Sequence, residues 1–190
     1  MTFQPVTKRV MMLRPDFHKI PLYPLPSTYT IGWYKEGDEH QWLEIKSQSD
    51  RFHTADLAYF IQTYREHRAL LSQRQMYLYD AGGKAVGTVT AWFEKLAGNT
   101  YGKINWMLLV PEVQGLGLSK ALLSLSLQRL GELGHTQALL YTLTARIAAI
   151  NLYRQFGFVP LIGGGSDLEA WDEVNSLLKK PFSRDEYIVE

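Results

Sequence analysis

The chain has 190 residues, of which 46% are hydrophobic and 13% aromatic, and a globular chain of this length most simply forms one domain. A formal net charge of +1, without long runs of like charge, argues against nucleic acid as a partner. The sequence has no cysteine, which excludes disulfides, thiolate metal sites and thiol nucleophiles.

Membrane and metal functions are also disfavoured. No apolar stretch is long enough to span a bilayer, and no signal-peptide core follows the basic residues near the N-terminus. We therefore expect a cytoplasmic protein without a membrane partner. The five histidines are scattered and lack the spacing of metal ligands, so we expect no metal cofactor.

The N-terminal third begins with a proline-rich segment, residues 1–27. Its proline density excludes a continuous helix and predicts an extended arm laid over the domain. Regular structure is expected to begin at Tyr29–Tyr34, a short β-rich run. Asp38, with Gln41 three residues later, is the expected N-cap of a first helix, and Thr54 is the expected N-cap of a second.

The middle of the chain contains the core strands. Gln75–Tyr79 and Lys84–Phe93 are predicted to form an antiparallel hairpin. Tyr101–Val110 is the fourth predicted strand, and it is apolar on both faces at its end, which is typical of an interior strand. A leucine-rich helix from about Leu118 to Leu133 leads to the fifth, Ala138–Leu143. This order predicts a parallel pair joined by a right-handed crossover.

The C-terminal part continues the alternation. Residues 146–156 are predicted to form a helix, and Phe158–Ile162 a strand. Ser166 is the expected cap of a last amphipathic helix, and Glu186–Val189 is a candidate edge strand. The elements together predict one α+β domain with a mixed sheet.

A glycine-rich turn, Gln114–Lys120, connects the fourth strand to the leucine-rich helix and reads Gln-Gly-Leu-Gly-Leu-Ser-Lys. Glycines allow a tight turn and leave the backbone amides uncovered. Together with the first N–H groups of a helix, those amides form a concave donor surface that favours an anion. The alternative is a tight connection that binds nothing, and the glycines alone do not decide between the two.

A second stretch, Ala149–Phe158, makes the pattern more specific. Together with Val110–Leu123 it resembles the two signatures of the GCN5-related N-acetyltransferase (GNAT) superfamily. These are Gln/Arg-x-x-Gly-x-Gly/Ala at a helix start and, roughly thirty residues on, Ala-Ile-x-Leu-Tyr-x-x-x-Gly-Phe. The resemblance implies an α+β fold with a mixed, mostly antiparallel central sheet flanked by helices. Strands four and five of that sheet are expected to be parallel and splayed.

The same resemblance implies a division of the chain. Residues 1–27 are the extended Pro-rich arm, and 28–165 are the GNAT acetyltransferase domain. Residues 166–190 are a C-terminal helix and tail packed on that domain, in place of the hairpin with which the family usually ends.

The resemblance also implies a cofactor and an activity. It predicts transfer of an acetyl group from acetyl-CoA to a primary amine of a small-molecule or peptide acceptor, by a monomer or homodimer. The pyrophosphate would lie on the amides of Gln114–Lys120, and the pantetheine would pair like a strand near Leu108–Val110. In this family one of those strand amides polarises the thioester carbonyl. The implied cofactor-binding residues are Leu108, Leu109, Val110, Gln114, Gly115, Leu116, Gly117, Leu118, Ser119, Lys120 and Arg146. Lys120 has the alternative of an ordinary solvated helix residue.

Tyr153 is the implied catalytic residue. By the family's pattern it stands near the thioester sulfur and donates a proton to the leaving thiolate. The alternative is ordinary core packing, because Tyr153 shares an apolar stripe with Leu152 and Phe156. Four other aromatic residues are candidates either for the wall of the acceptor pocket or for core: Trp33, Tyr34, Trp92 and Trp106.

Two positions depart from the family's pattern. Arg146 stands where the family often has an asparagine, and Tyr141 stands where one branch has a glutamate base. These departures motivate an alternative function, a non-catalytic acyl-CoA-binding sensor or interaction module. The sequence does not identify the general base. The candidates are a water held by Asn105 or Tyr141, the side chain of Glu94 and the side chain of His135.

Overall fold

The computed structural model describes residues 7–50 and 52–189. In chain order their strands and α-helices are β1 Arg9–Arg14, β2 Thr30–Trp33, α1 Glu39–Ser49, α2 Leu57–Tyr64, α3 Leu71–Arg74, β3 Gln75–Tyr79, β4 Ala85–Leu96, β5 Asn99–Leu109, α4 Leu118–Glu132, β6 Ala138–Leu143, α5 Ile147–Gln155, β7 Val159–Ile162, α6 Gly165–Leu177 and β8 Ile188–Val189. Short 3-10 helices cover Arg65–Leu70, Pro111–Val113 and Arg184–Glu186. Within the described residues, no helix has both the length and the apolar character needed to cross a bilayer.

The chain divides into two compact units. The first contains the described residues up to Lys19, together with Glu94–Gly102 and those from His135 onward. The second contains the described residues of Ile20–Phe93 and Lys103–Gly134. Strands β4 and β5 contribute residues to both units.

In the second unit the strand order is β2-β3-β4-β5. β3 pairs antiparallel with both β2 and β4, and Gly87 of β4 lies where the sheet is crowded. A Cβ atom on Gly87 would lie 2.6 Å from a side-chain carbon of Leu109 and 3.0 Å from the carbonyl oxygen of Leu108. A glycine is therefore needed here for close packing against the end of β5.

The core of the second unit contains an aromatic cluster. Edge-to-face contacts join Trp42 of α1 to Phe60 of α2 at 5.2 Å, and Phe60 to Tyr64 at 5.0 Å. Tyr64 contacts Trp92 of β4 at 4.9 Å, and Trp42 contacts Trp106 of β5 at 5.6 Å. The cluster holds α1 and α2 on strands β4 and β5 of this unit, because each ring buries a large apolar surface.

In the first unit the strand order continues from the start of β5 as β5-β6-β1-β7-β8. β1 is antiparallel to both neighbours, and Met11 pairs with Tyr141 on one side and Leu161 on the other. β8 adds a parallel edge strand, with Ile188 opposite Leu161, which confirms the expected role of the tail. Leu13, Tyr101, Leu139 and Leu161 form the apolar cluster of this unit.

The expectation that regular structure begins at Tyr29 is wrong. β1 lies inside the segment predicted to be an extended arm, and Val10, Met12 and Leu13 are buried. The run Val10–Leu13 is free of proline, and Pro15 follows the strand, where a missing N–H breaks no ladder bond. Residues 1–6 of the predicted arm lie outside the described residues.

The structure contains a strand, β1, before the first strand that the sequence predicts. The predicted strands four and five are therefore β5 and β6 of the structure. The parallel neighbours are β5 and β6, so the predicted pairing of strands four and five is not matched under the structure's numbering. The mixed, mostly antiparallel sheet flanked by helices is confirmed. The splay between the two strands stays a prediction.

Helix starts agree only in part with the sequence. Asp38 is the N-cap of α1 as expected, but its carboxylate accepts a bond from the Gln41 side chain at 2.7 Å and none from the helix backbone. Asp56, not Thr54, caps α2 by accepting from the Tyr59 amide at 2.7 Å. Gly164, not Ser166, precedes α6. Both expected caps were wrong by two residues, because a sequence pattern does not fix a helix boundary more closely than one or two residues.

Candidate functional site

The glycine-rich turn presents a set of free amides at the start of α4. Gly115 and Gly117 both adopt the left-handed region, with φ of 79° and 81°, and Gly117 is the N-cap of the helix. A Cβ atom on either glycine would meet nothing within 4 Å. Because alternating conformations of this kind turn successive N–H groups to one side, the turn has the geometry of an anion site.

The hydrogen bonds around the turn stop on either side of it. The Gln114 amide donates to the carbonyl of Pro111 at 3.2 Å, and the Lys120 amide donates to that of Gly117 at 3.0 Å. Between them, the amides of residues 115–119 have no acceptor among the described residues. Gly115, Leu116 and Gly117 are exposed, whereas Leu118 is buried and Ser119 half-buried, so the open part of the turn is Gly115–Gly117.

The end of β5 is tied directly to this turn. The side-chain amide of Gln114 donates to the carbonyl of Leu109 at 2.8 Å, and the Val110 amide donates to Val86 at 3.0 Å. The Gln114 side chain therefore fixes the position of the glycine-rich turn relative to the end of β5. A strand-like ligand at Leu108–Val110 would have to use the remaining backbone groups.

Lys120 has an aromatic partner from the N-terminal segment. Its Nζ lies 5.0 Å from the centre of the Tyr23 ring. Ser124, one turn further along α4, accepts from the Tyr23 amide at 3.0 Å and lies 2.9 Å from the carbonyl oxygen of Pro21. Lys120 is therefore held beside the turn as a cation–π partner, which differs from a freely solvated lysine.

Trp106 is a strained residue within β5 that the sequence did not reveal. Its φ is 47°, a conformation that costs a bulky residue roughly 1–2 kcal/mol. Trp42 and Tyr59 contact its ring edge-to-face at 5.6 and 5.9 Å, and the buried Lys46 ammonium lies 4.9 Å from its centre. Packing stabilises this left-handed backbone conformation, and no local sequence pattern predicts it.

Tyr153 lies in α5, within the first unit. Its ring is 9% exposed and contacts Phe158 edge-to-face at 5.9 Å, so the side chain does pack as core. Its hydroxyl has no hydrogen-bond partner among the described residues. Burial raises the pKa of Tyr153 to about 12, and the positive charge of Arg146 opposes that rise. A neutral phenol with an unused hydroxyl is suited to donate a hydrogen bond to a ligand.

The end of α5 is closed by an arginine from β1. The Arg14 guanidinium donates to the carbonyl of Phe156 and, at 2.7 Å, to that of His18. Gly157 has φ of 77°, and a Cβ atom there would lie 2.5 Å from an Arg14 nitrogen. The glycine of the second signature is therefore required by its backbone conformation and by the arginine packed against it.

The candidates for a general base are dispersed. In the first unit Tyr141 lies under the Arg9 guanidinium, at 3.7 Å from its ring centre, and Glu94 lies near the end of β4. His135 lies in the turn that precedes β6. Asn105 lies in β5 and is half-buried.

Of the four candidate pocket aromatics, Tyr34, Trp92 and Trp106 belong to the aromatic cluster or contact it. Trp33 lies apart, 40% exposed beneath Arg129. The described residues contain no group of three or more His, Asp or Glu side chains suited to a metal ion.

Comparison with known proteins adds a family and a fold. The sequence profile of the Acetyltransferase (GNAT) family matches residues 28–158. The mycothiol acetyltransferase of Streptomyces griseus is 27% identical over 137 residues, covering 70% of this chain and 44% of that protein. The mycothiol acetyltransferase of Thermobispora bispora is 27% identical over 153 residues, covering 77% and 52%. The chain spans about half the length of these curated relatives.

Solved structures agree at the level of fold. A GCN5-related N-acetyltransferase from Sphaerobacter thermophilus gives a TM-score of 0.68 at 20% identity, covering 83% of this chain and 49% of that chain. An acetyltransferase of the GNAT family from Colwellia psychrerythraea gives 0.60 at 16% identity, covering 81% and 53%. Similarity at this level of identity concerns the fold alone.

Proposed function

The chain belongs to the GNAT family of acetyltransferases, and from that premise we propose that it transfers an acetyl group from acetyl-CoA to a primary amine. The observation that carries the proposal is the row of free amides at residues 115–119, at the N-terminus of α4 and inside the matched region. Five donors without a backbone acceptor next to a positive helix end suit a pyrophosphate better than a neutral ligand.

The cofactor-binding residues follow from this arrangement. We assign the pyrophosphate to the amides of Gly115–Ser119, with Lys120 supplying a nearby positive charge. The pantetheine is assigned to the backbone of Leu108–Val110, and Arg146 stands at a position that the family often uses for cofactor contact. We assign no role to a metal.

The chemical step uses the acceptor amine as the nucleophile and Tyr153 as a proton donor. The amine nitrogen attacks the thioester carbonyl carbon, a C–N bond forms, and the C–S bond breaks to release the thiolate. Tyr153 is assigned as the donor of a proton to that sulfur, and it regains a proton from solvent. The proton lost by the amine passes to water, so that the products are the acetylated amine and free CoA.

The acceptor is proposed from the relatives. Because mycothiol acetyltransferases from four bacteria match the chain, a mycothiol-type amine is the first acceptor to test. The test is calorimetry with acetyl-CoA, followed by thiol release against that amine, glucosamine, spermidine and an alanine-terminated tripeptide. Binding with no turnover on any amine would support an acyl-CoA sensor instead. A failure to bind acetyl-CoA would contradict both functions.

Replacing Gly117 by alanine is expected to weaken acetyl-CoA binding about tenfold. At φ of 81° an alanine is strained by roughly 1–2 kcal/mol, and the backbone relieves this strain by turning its amides away from the ligand. The measurement is the calorimetric Kd. Gly83→Ala is the matched control, because Gly83 has φ of 78° and an equally open Cβ position in the turn between β3 and β4. Equal Kd values for the two variants would contradict the assignment of the turn.

A further inference from the structure

A proline-rich segment, residues 21–26, is fastened to α4 in the second unit, and we call it the strap. Ser124 of α4 is 2% exposed, and its hydroxyl oxygen accepts from the Tyr23 amide at 3.0 Å. The same hydroxyl lies 2.9 Å from the carbonyl oxygens of Pro21 and Lys120, and its one proton goes to either of them. Ser124 is therefore a buried anchor that holds the strap against the first turns of α4.

The strap has a restricted backbone. Prolines stand at positions 21, 24 and 26, and each proline ring fixes its own φ. A residue before a proline is kept in an extended conformation, which here applies to Tyr23 and Leu25. Because little backbone freedom remains, the hydrogen bonds at Ser124 fix the Tyr23 backbone beside the helix.

The strap brings an aromatic ring to the first turn of α4. The Lys120 ammonium lies over the Tyr23 ring, 5.0 Å from its centre, which is within the range of cation–π attraction. Lys120 is the third residue of α4, and the Cα–Cβ bonds of a helix tilt toward its N-terminus. The lysine side chain therefore leans back toward the glycine-rich turn, whose open part is formed by residues 115–117.

We propose that the strap holds the Lys120 ammonium in place for the pyrophosphate of acetyl-CoA, with Tyr23 as the positioning residue and Ser124 as the anchor. A lysine side chain is long and flexible, so fixing its ammonium on a ligand costs conformational entropy. The contact with the Tyr23 ring orders the side chain before the ligand binds, which reduces that cost. The ammonium keeps its charge and its N–H donors in this contact. The inference rests on the proposed function.

The calorimetric Kd for acetyl-CoA tests the role of Tyr23. Lys120→Met removes the charge, and we expect the Kd to rise about tenfold. Tyr23→Leu removes the ring, and we expect a rise of about threefold. Tyr23→Phe keeps the ring and is expected to retain the wild-type Kd. When Tyr23→Leu is combined with Lys120→Met, the Kd should equal that of Lys120→Met alone, because the ring acts only through the ammonium.

The anchor has a matched control on the same helix. Ser124→Ala releases the strap, and we expect the Kd to rise about threefold, as in Tyr23→Leu. Ser126→Ala is the control, because Ser126 is also buried and its hydroxyl donates to the Leu123 carbonyl at 3.0 Å, within the helix. Equal Kd values in the two serine variants overturn the role of Ser124.

Each remaining outcome bears on one part of the proposal. An unchanged Kd in Tyr23→Leu overturns it, and so does an equal loss in Tyr23→Leu and Tyr23→Phe. Additive losses in the combined variant also overturn it, because Tyr23 would then contact the ligand without the help of Lys120. A wild type that does not bind acetyl-CoA overturns the proposed function itself. Normal binding by the wild type with no effect of Tyr23→Leu overturns the role of the strap alone.

Discussion

Replacing Tyr153 by phenylalanine is expected to lower kcat about 100-fold while the Kd for acetyl-CoA stays within about twofold. The ring packs against Phe158, and phenylalanine preserves that contact. What the substitution removes is a hydroxyl without a partner among the described residues. Because the interaction with sulfur develops only as the C–S bond breaks, its loss acts on the transition state more than on binding.

The acidity of Tyr153 sets the size of this effect. Burial raises its pKa to about 12, whereas a thiol titrates near 8.5. The phenol is thus a weaker acid than the thiol, so it first donates a hydrogen bond to the developing thiolate, and its proton moves to the sulfur only late in C–S bond cleavage. For this reason we place the effect near the lower end of the range for general acids.

The raised pKa of Tyr153 also predicts how kcat depends on pH. Tyr153 stays protonated throughout the neutral range, so it contributes no basic limb to the kcat profile below about pH 10. Tyr187→Phe is the control, since Tyr187 is bonded to Asn175 at 2.9 Å and has no assigned role in catalysis. A kcat equal to that of the wild type in Tyr153→Phe would return Tyr153 to the role of ordinary core.

Replacing Gly157 by alanine is expected to lower the free energy of unfolding by about 3 kcal/mol, a sum of two effects. The left-handed conformation of residue 157 strains any side chain by roughly 1–2 kcal/mol. In addition, the new methyl group would overlap Arg14, whose guanidinium is buried and closes the end of α5. The arginine has to move away from the Phe156 carbonyl that it now satisfies.

A second glycine separates these two contributions. Gly98 has φ of 81°, lies in the same unit, and has nothing within 4 Å of its Cβ position. Gly98→Ala therefore measures the conformational strain alone, and we expect about 1 kcal/mol from urea unfolding. If the two variants lose the same stability, the packing of Arg14 on Gly157 contributes nothing.

Much of the fold was predictable because the hydrophobic periodicity of each element agrees with the turn residues that bound it. The helix after the glycine turn, the helix that carries Tyr153 and the β3–β4 hairpin all lie within a few residues of their predicted bounds. β1 was missed because the surrounding prolines outweighed a four-residue apolar run. The short helix α3 and the 3-10 helix before it were not predicted, because tertiary packing decides the conformation of such short segments.

In the candidate site, too, the features set by local sequence were predictable and those set by tertiary packing were not. The turn at Gln114–Lys120 was visible because glycines reveal left-handed backbone, and the free amides follow from that geometry. Trp106 was not visible in this way, since its left-handed φ comes from packing against Trp42 and Tyr59.

The position of β1 has a consequence for how the chain is made. Arg9–Arg14 is synthesised more than 120 residues before its two partners, β6 at 138–143 and β7 at 159–162. Until those strands leave the ribosome, β1 has no ladder to join, and its apolar side chains are exposed to chaperones or to other nascent chains. Closing so long a loop is entropically slow, so the first unit is expected to complete its sheet late and to limit the rate of folding.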